Sequence, residues 1–143
     1  MFDFFKNKKS NKEESSLSKI ASLLIYAAKI DEVYTKDEEK IIKETLIDLG
    51  VKSSNVNELI SNATIMEKNS NQILEFTKEA KNMPESDKKK IIESLWKIIY
   101  SNNNADIYET NLMRRLTGLL YIDNKIMGEI KEKVKKQLNK WLT

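Results

Sequence analysis

Two acidic stretches hold the residues of this sequence whose types and spacing suit a chemical role. The first contains Asp31 and Glu38, and the second, 71 positions later, contains Asn102, Asp106 and Glu109. Carboxylate and amide oxygens are ligands for hard cations, so Ca²⁺ or Mg²⁺ suits this set better than Zn²⁺. If the two stretches face each other in the fold, the sequence predicts one metal site made of these five residues.

The same residues also fit a local role at helix N-termini. Thr35 with Glu38, and Asp106 with Glu109, have the spacing of a capping box, in which two side chains satisfy free backbone amides. Such a cap contributes about 1 kcal/mol without any ligand. Asp31 is harder to explain locally, because it follows a helix whose dipole disfavours a carboxylate at that end. Capping and metal binding therefore both stay open.

The composition excludes several kinds of catalytic site. The chain has no His and no Cys, which removes Ser-His-Asp and Cys-His nucleophiles, zinc cages and imidazole metal ligands. We identify no phosphate-binding glycine loop and no nucleophile beside a base. We therefore predict a non-enzymatic protein without catalytic residues. The alternatives are a carboxylate-metal hydrolase and a helical adaptor that binds no ligand.

Apolar residues recur at helical spacing along the chain, which predicts an all-α fold. The 143 residues include only one Pro and three Gly, and they suit a single compact domain of about seven helices. We expect a flexible basic and aromatic tail over residues 1–16 and a helical domain over residues 17–143, with the first helix running from about Glu13 to Ile30. Expected helix caps are Ser53 or Ser54, Ser70 and Asp123 at N-termini, and Gly50 at a C-terminus.

A constant offset of 71 residues relates two parts of the sequence. At that offset Leu24 falls on Leu95, Asp31 on Asn102, Glu38 on Glu109 and Leu49 on Leu120. Self-similarity at a fixed spacing indicates a duplicated structural unit. The sequence therefore predicts two pseudo-repeated helix-loop-helix units.

The N-terminal residues carry the whole positive excess of the chain. The formal net charge is +3, and the first twelve residues alone hold four Lys and one Asp. Aromatic and basic residues alternate there, a pattern that suits contact with an anionic membrane surface: Phe2, Phe4, Phe5, Lys6, Lys8 and Lys9. The alternative is a frayed terminus.

The rest of the chain is balanced, with 21 basic and 21 acidic residues. Its basic clusters, 88–90 and 114–115, fit solvated helix faces, so nucleic acid is not a predicted partner. The N-terminus lacks a signal peptide pattern, and no run of apolar residues reaches membrane-spanning length. We expect a cytoplasmic protein with peripheral contact at the inner face of the membrane.

Three stretches resemble the TerB-like family, which is named for tellurite resistance. They are residues 31–38, the run Leu95–Tyr100 and the run Glu109–Leu120, and the resemblance covers about residues 17–135. The resemblance implies an all-helical domain, which also occurs at the N-terminus of a membrane-anchored DnaJ-type co-chaperone. It further implies a metal site in the two acidic loops. By position this implicates Asp31, Glu38, Asn102, Asp106 and Glu109.

This chain departs from the Asp-Gly pair that the family has in each acidic loop. Asp31 is followed by Glu32, and the second pair has become Asn102-Asn103. The change at position 102 lowers the negative charge of the site, and the loss of both glycines removes easy access to positive φ. The resemblance leads us to expect a helical module that binds a divalent cation and a protein partner. Stress-response, tellurite-resistance or co-chaperone assemblies near the membrane are its expected setting.

Overall fold

The computed structural model describes residues 2–30, 34–70, 73–101 and 107–142, with side-chain surroundings for 15–30, 34–70, 73–101 and 111–138. Seven α-helices and no strand lie in these ranges. They are α1 (Phe2–Ala28), α2 (Lys36–Asp48), α3 (Val56–Lys68), α4 (Leu74–Lys81), α5 (Glu85–Tyr100), α6 (Ile107–Leu119) and α7 (Asn124–Leu142). The predicted all-α fold of about seven helices is confirmed.

Helices α1 and α5 form the centre of the fold. Helix α1 packs against α2, α3, α4 and α5, and α5 packs against α1, α2, α4 and α7. Leu24 of α1 and Leu95 of α5 are fully buried. In α5 the neighbours Trp96, Ile98 and Ile99 are buried as well, so this helix is enclosed on more than one face.

Helix α1 is longer than the sequence predicted. It begins at Phe2 rather than near Glu13, and the segment between them contains no Gly or Pro that would end a helix. The predicted mobility of residues 1–16 stays a prediction. No helix in the described ranges combines the length and the apolar character needed to cross a bilayer.

The predicted cap of α3 is wrong. Helix α3 begins after Asn55, and neither Ser53 nor Ser54 occupies the N-cap position. The chain makes a turn at this point, where the Asn55 N–H donates to the Lys52 carbonyl at 2.9 Å. The start of the helix coincides with Val56, which is buried, so core packing rather than a serine hydroxyl sets this boundary.

Of the two remaining N-cap predictions, one is wrong and one is confirmed. Helix α4 begins at Leu74 with Ile73 as its N-cap residue, so Ser70 lies too far upstream to cap it. Ile73 is buried, which again places the helix start at the core. Before α7, the Asp123 carboxylate accepts a hydrogen bond from the Lys125 N–H at 2.9 Å, as expected of an N-cap residue.

The C-terminal ends of α2 and α6 have the same backbone pattern. Gly50 follows α2 with φ 113°, which confirms the predicted left-handed cap, and Tyr121 follows α6 with φ 53°. Beyond each helix two N–H groups donate back to its last turn, as in a Schellman motif. The pairs are Gly50 to Ile47 and Val51 to Leu46 after α2, and Tyr121 to Gly118 and Ile122 to Thr117 after α6.

Helices α2 and α6 also agree in length and spacing. Each has 13 residues, and their first residues, Lys36 and Ile107, are 71 positions apart. The predicted duplication concerns the acidic loops as well, and those include residues outside the described ranges. The duplication of the whole helix-loop-helix unit therefore stays a prediction.

Candidate functional site

Of the five predicted site residues, Glu38 is the one whose side-chain surroundings the structure describes. It is the third residue of α2, and it is only 2% exposed. Its Oε1 accepts hydrogen bonds from the Thr35 N–H and the Thr35 hydroxyl, both at 2.9 Å. The Glu38 N–H donates to Thr35 Oγ1 at 3.1 Å. The predicted capping box is confirmed, and it fixes a buried carboxylate at the N-terminus of α2, where the helix dipole favours negative charge.

Tyr34 is a feature of the same loop that the sequence reasoning missed. Its ring is half-buried, and its hydroxyl is buried without a hydrogen-bond partner among the described residues. Burial, followed by the nearby carboxylates of Glu39 and Glu38, raises the pKa of Tyr34 to about 12. Both effects disfavour the phenolate, so Tyr34 presents a neutral hydroxyl beside the capping box.

The other four predicted ligands lie outside the described side chains. Asp31, Asn102 and Asp106 are outside the described ranges, and Glu109 lies in the first turn of α6 without a described side chain. The second predicted capping box, formed by Asp106 and Glu109, is outside as well. Among the side chains that the structure does describe, no group of three or more acidic residues could hold a metal ion.

A cavity of about 350 Å³ lies beside the ends of both acidic stretches. Its lining includes Ile30, which directly precedes Asp31, and Asn111, which follows Glu109 by two residues. Tyr26, Leu112 and Arg115 complete the described lining. The fold therefore brings the flanks of the two acidic stretches to one cavity, formed by the end of α1 and one face of α6.

A second cavity of about 320 Å³ shares Tyr26 and Arg115 with the first. Its other described lining residues come from the end of α3 and the start of α4: Glu67, Ser70, Ile73, Leu74 and Phe76. At its edge Lys29 Nζ lies 3.0 Å from Glu67 Oε2. Sequence reasoning missed this arrangement because its members come from four helices or their flanks, and no local spacing connects them.

The basic character of α7 was also missed. Six Lys and two Glu lie in residues 124–142, whereas the sequence analysis placed the basic clusters elsewhere. Lys131 lies 5.2 Å from the centre of the Trp96 ring, and Lys135 lies 5.8 Å from that of Tyr100. These cation–π contacts hold α7 against the stacked aromatic pair of α5. Lys131 and Lys135 are four residues apart beside the apolar stripe of α7, and this spacing could have indicated the two contacts from the sequence.

In the described ranges the fold defines a small helical module with a buried carboxylate at a helix start and two cavities of mixed polarity. A family model described as tellurite resistance protein TerB matches residues 17–132, which is most of the 143-residue chain. The chain belongs to the TerB family, and the resemblance seen in its sequence is confirmed. Comparison with curated proteins and with solved structures finds no match.

Proposed function

We propose that this chain is a non-enzymatic TerB module that binds one divalent cation, Ca²⁺ or Mg²⁺, between its two acidic loops. The shared cavity carries the proposal, because Ile30 and Asn111 line it together. Neighbouring Cα atoms are about 3.8 Å apart, so Asp31 starts within one residue of this cavity. Glu109 precedes Asn111 by two positions in α6, which is about 3 Å along the helix axis. The shared cavity therefore supports an ion held by residues of both acidic stretches.

The proposed ligand set is made of hard oxygen donors. Asp31, Asp106 and Glu109 supply carboxylates, and Asn102 supplies an amide oxygen, which are the ligands that Ca²⁺ and Mg²⁺ prefer. Glu38 joins them through its capped carboxylate, since a carboxylate has enough lone pairs to accept hydrogen bonds and coordinate a cation as well. The capping box then acts as a support that fixes the direction of the Glu38 side chain.

A ligand-free helical adaptor is the second candidate, and a specific observation favours it. Three hydrogen bonds join Glu38 to Thr35 within the capping box. Such a carboxylate already stabilises the N-terminus of α2 without a cation. The two candidates differ in whether Asp31 and Glu109 act together on an added ion.

The proposed partner is another protein in a stress-response, tellurite-resistance or co-chaperone assembly in the cytoplasm. Bound Ca²⁺ or Mg²⁺ would remove negative charge from the two loops and so change the surface that this partner meets. We further propose that Phe2, Phe4 and Phe5, with the lysines beside them, contact the inner face of the membrane. Loss of binding to anionic vesicles after substitution of these three Phe by Ser supports that contact, and unchanged binding overturns it.

Thermal unfolding with and without added ions tests the cation site. The midpoint of unfolding is measured first in EDTA and then with added Ca²⁺, Mg²⁺, Mn²⁺ or Zn²⁺. An ion that binds the folded chain and is present at 100 times its dissociation constant stabilises it by about 2.7 kcal/mol. We expect Ca²⁺ or Mg²⁺ to raise the midpoint, and Asp31→Asn and Glu109→Gln each to abolish the rise. Glu44→Gln, an exposed change in α2, is the control that keeps the rise. A midpoint that no ion moves favours the adaptor.

A further inference from the structure

The two cavities that share Tyr26 and Arg115 form a second candidate site, which takes an organic ligand rather than a cation. Their volumes are about 350 and 320 Å³, which is the lower end of the range for small-molecule sites in proteins. Both are lined by Tyr26 of α1 and Arg115 of α6, and the second extends to the end of α3 and the start of α4. Each can hold part of one small organic molecule.

The lining of these cavities combines polar and apolar side chains, and its most buried members are apolar. Phe76 is 1% exposed, and Ile73 and Leu112 are each 5% exposed, so these side chains belong to the core and are rigidly packed. Leu74 is 49% exposed and extends the apolar surface outward. An aliphatic or aromatic group placed here is removed from water against surface that is already formed.

The charges of the described lining leave one positive group without a counter-ion. Glu67 is paired with Lys29 at 3.0 Å, and the two charges offset each other. Arg115 is exposed and has no ion pair within the part of the chain that the structure describes. A guanidinium offers a planar fork of N–H donors that matches a carboxylate or a similar oxyanion.

We propose that this site binds a small amphipathic organic anion, with its oxyanion on Arg115 and its apolar part against Tyr26 and Leu74. The apolar lining alone would accept neutral molecules of the same shape, and Arg115 adds the preference for an anion. Asn111 in one cavity and Ser70 in the other supply polar groups at the edges. The ligand class is therefore an organic oxyanion, such as a free carboxylate, with an aliphatic or aromatic body.

Fluorescent probes that differ in one charge test this assignment. The anionic probe is 8-anilino-1-naphthalenesulfonate, and the neutral probe is N-phenyl-1-naphthylamine, which has the same aromatic body without the sulfonate. Both are titrated into the folded full-length protein, into Arg115→Gln and into Arg114→Gln. Arg114 is the matched control, because it is an exposed neighbour in α6 that lines neither cavity.

We expect Arg115→Gln to weaken binding of the anionic probe about tenfold or more, as the loss of a charge-assisted hydrogen bond implies. Binding of the neutral probe changes little, Arg114→Gln behaves like the wild type, and decanoate displaces the anionic probe. Thermal unfolding of each variant checks the fold, and Arg115→Lys, which keeps the charge and loses the fork, falls between wild type and Arg115→Gln. Equal binding of the anionic probe by both glutamine variants, or failure of the wild type to bind it, overturns the proposal. All titrations are carried out in EDTA, so a bound cation does not contribute to the readout and failure of this proposal is distinguished from failure of the cation site.

Discussion

Ile30 and Asn111 line one cavity although 81 positions separate them in the sequence. Ile30 follows the last residue of α1 by two positions, and Asn111 lies in the first half of α6. Each belongs to the flank of one acidic stretch. This juxtaposition connects the two stretches through the fold, and the proposed function rests on it.

Removal of the Thr35 hydroxyl from the capping box is expected to lower the free energy of unfolding. Thr35→Ala leaves the Glu38 N–H without its acceptor and removes a donor to the buried Glu38 carboxylate. We expect a loss of about 1–2 kcal/mol in the free energy of unfolding, measured by urea denaturation. Thr35→Ser keeps the hydroxyl and should retain most of the stability. An equal loss in both variants would show that the methyl group, not the cap, is responsible.

The raised pKa of Tyr34 leads us to expect a lower free energy of unfolding at alkaline pH. Its folded-state pKa of about 12 lies above the usual value near 10, so the folded state holds the phenol proton more tightly. The corresponding stability is fully present below about pH 10 and is lost as the pH rises to about 12. Solvent screening of the half-buried ring reduces the effect to about 1 kcal/mol.

Comparison with Tyr34→Phe isolates this contribution. The variant removes the hydroxyl that has no described partner, so we expect it to be about 1 kcal/mol more stable at pH 7 and to lack the extra loss above pH 10. Tyr121→Phe, at a residue that is 72% exposed, is the control. Parallel stability curves for the wild type and Tyr34→Phe between pH 9 and 12 would refute the assignment.

The same substitution should have opposite effects at two glycines. Gly50 has φ 113°, a conformation that a Cβ strains, so Gly50→Ala is expected to lower stability by about 1–2 kcal/mol. Gly118 lies within α6, and an added Cβ there would have no neighbouring atom within 4 Å. Gly118→Ala is therefore expected to raise stability by about 0.5–1 kcal/mol. Thermal or urea unfolding checks both, and a change of the same sign in the two variants would contradict this account.

Features set by short-range spacing could be predicted from the sequence. The Thr35–Glu38 box, the Asp123 cap and the left-handed Gly50 each depend on a few neighbouring residues whose chemistry has few alternatives. The serine caps failed although serine is a favoured N-cap residue, because each of these helices begins where a buried apolar residue joins the core. Burial of Val56 and Ile73 coincides with the starts of α3 and α4.

Features that depend on distant contacts could not be predicted. The cavity around Tyr26 and Arg115 is formed by segments that only the tertiary fold brings together. The buried hydroxyl of Tyr34 likewise depends on what packs over it. Tyr121 adopts a positive φ that the residue type does not favour. It lies 71 positions after Gly50, and this offset could have predicted the shared backbone conformation.

Calorimetric titration of the folded chain with Ca²⁺ and with Mg²⁺ tests whether the two acidic loops together hold one ion. We expect one ion per chain, with the binding heat lost in Asp31→Asn and also in Glu109→Gln, because residues of both loops hold the same ion. Glu44→Gln should bind as the wild type does. Absence of binding heat for both ions, or binding that survives one of the two loop substitutions unchanged, would contradict a single site shared by the two acidic loops.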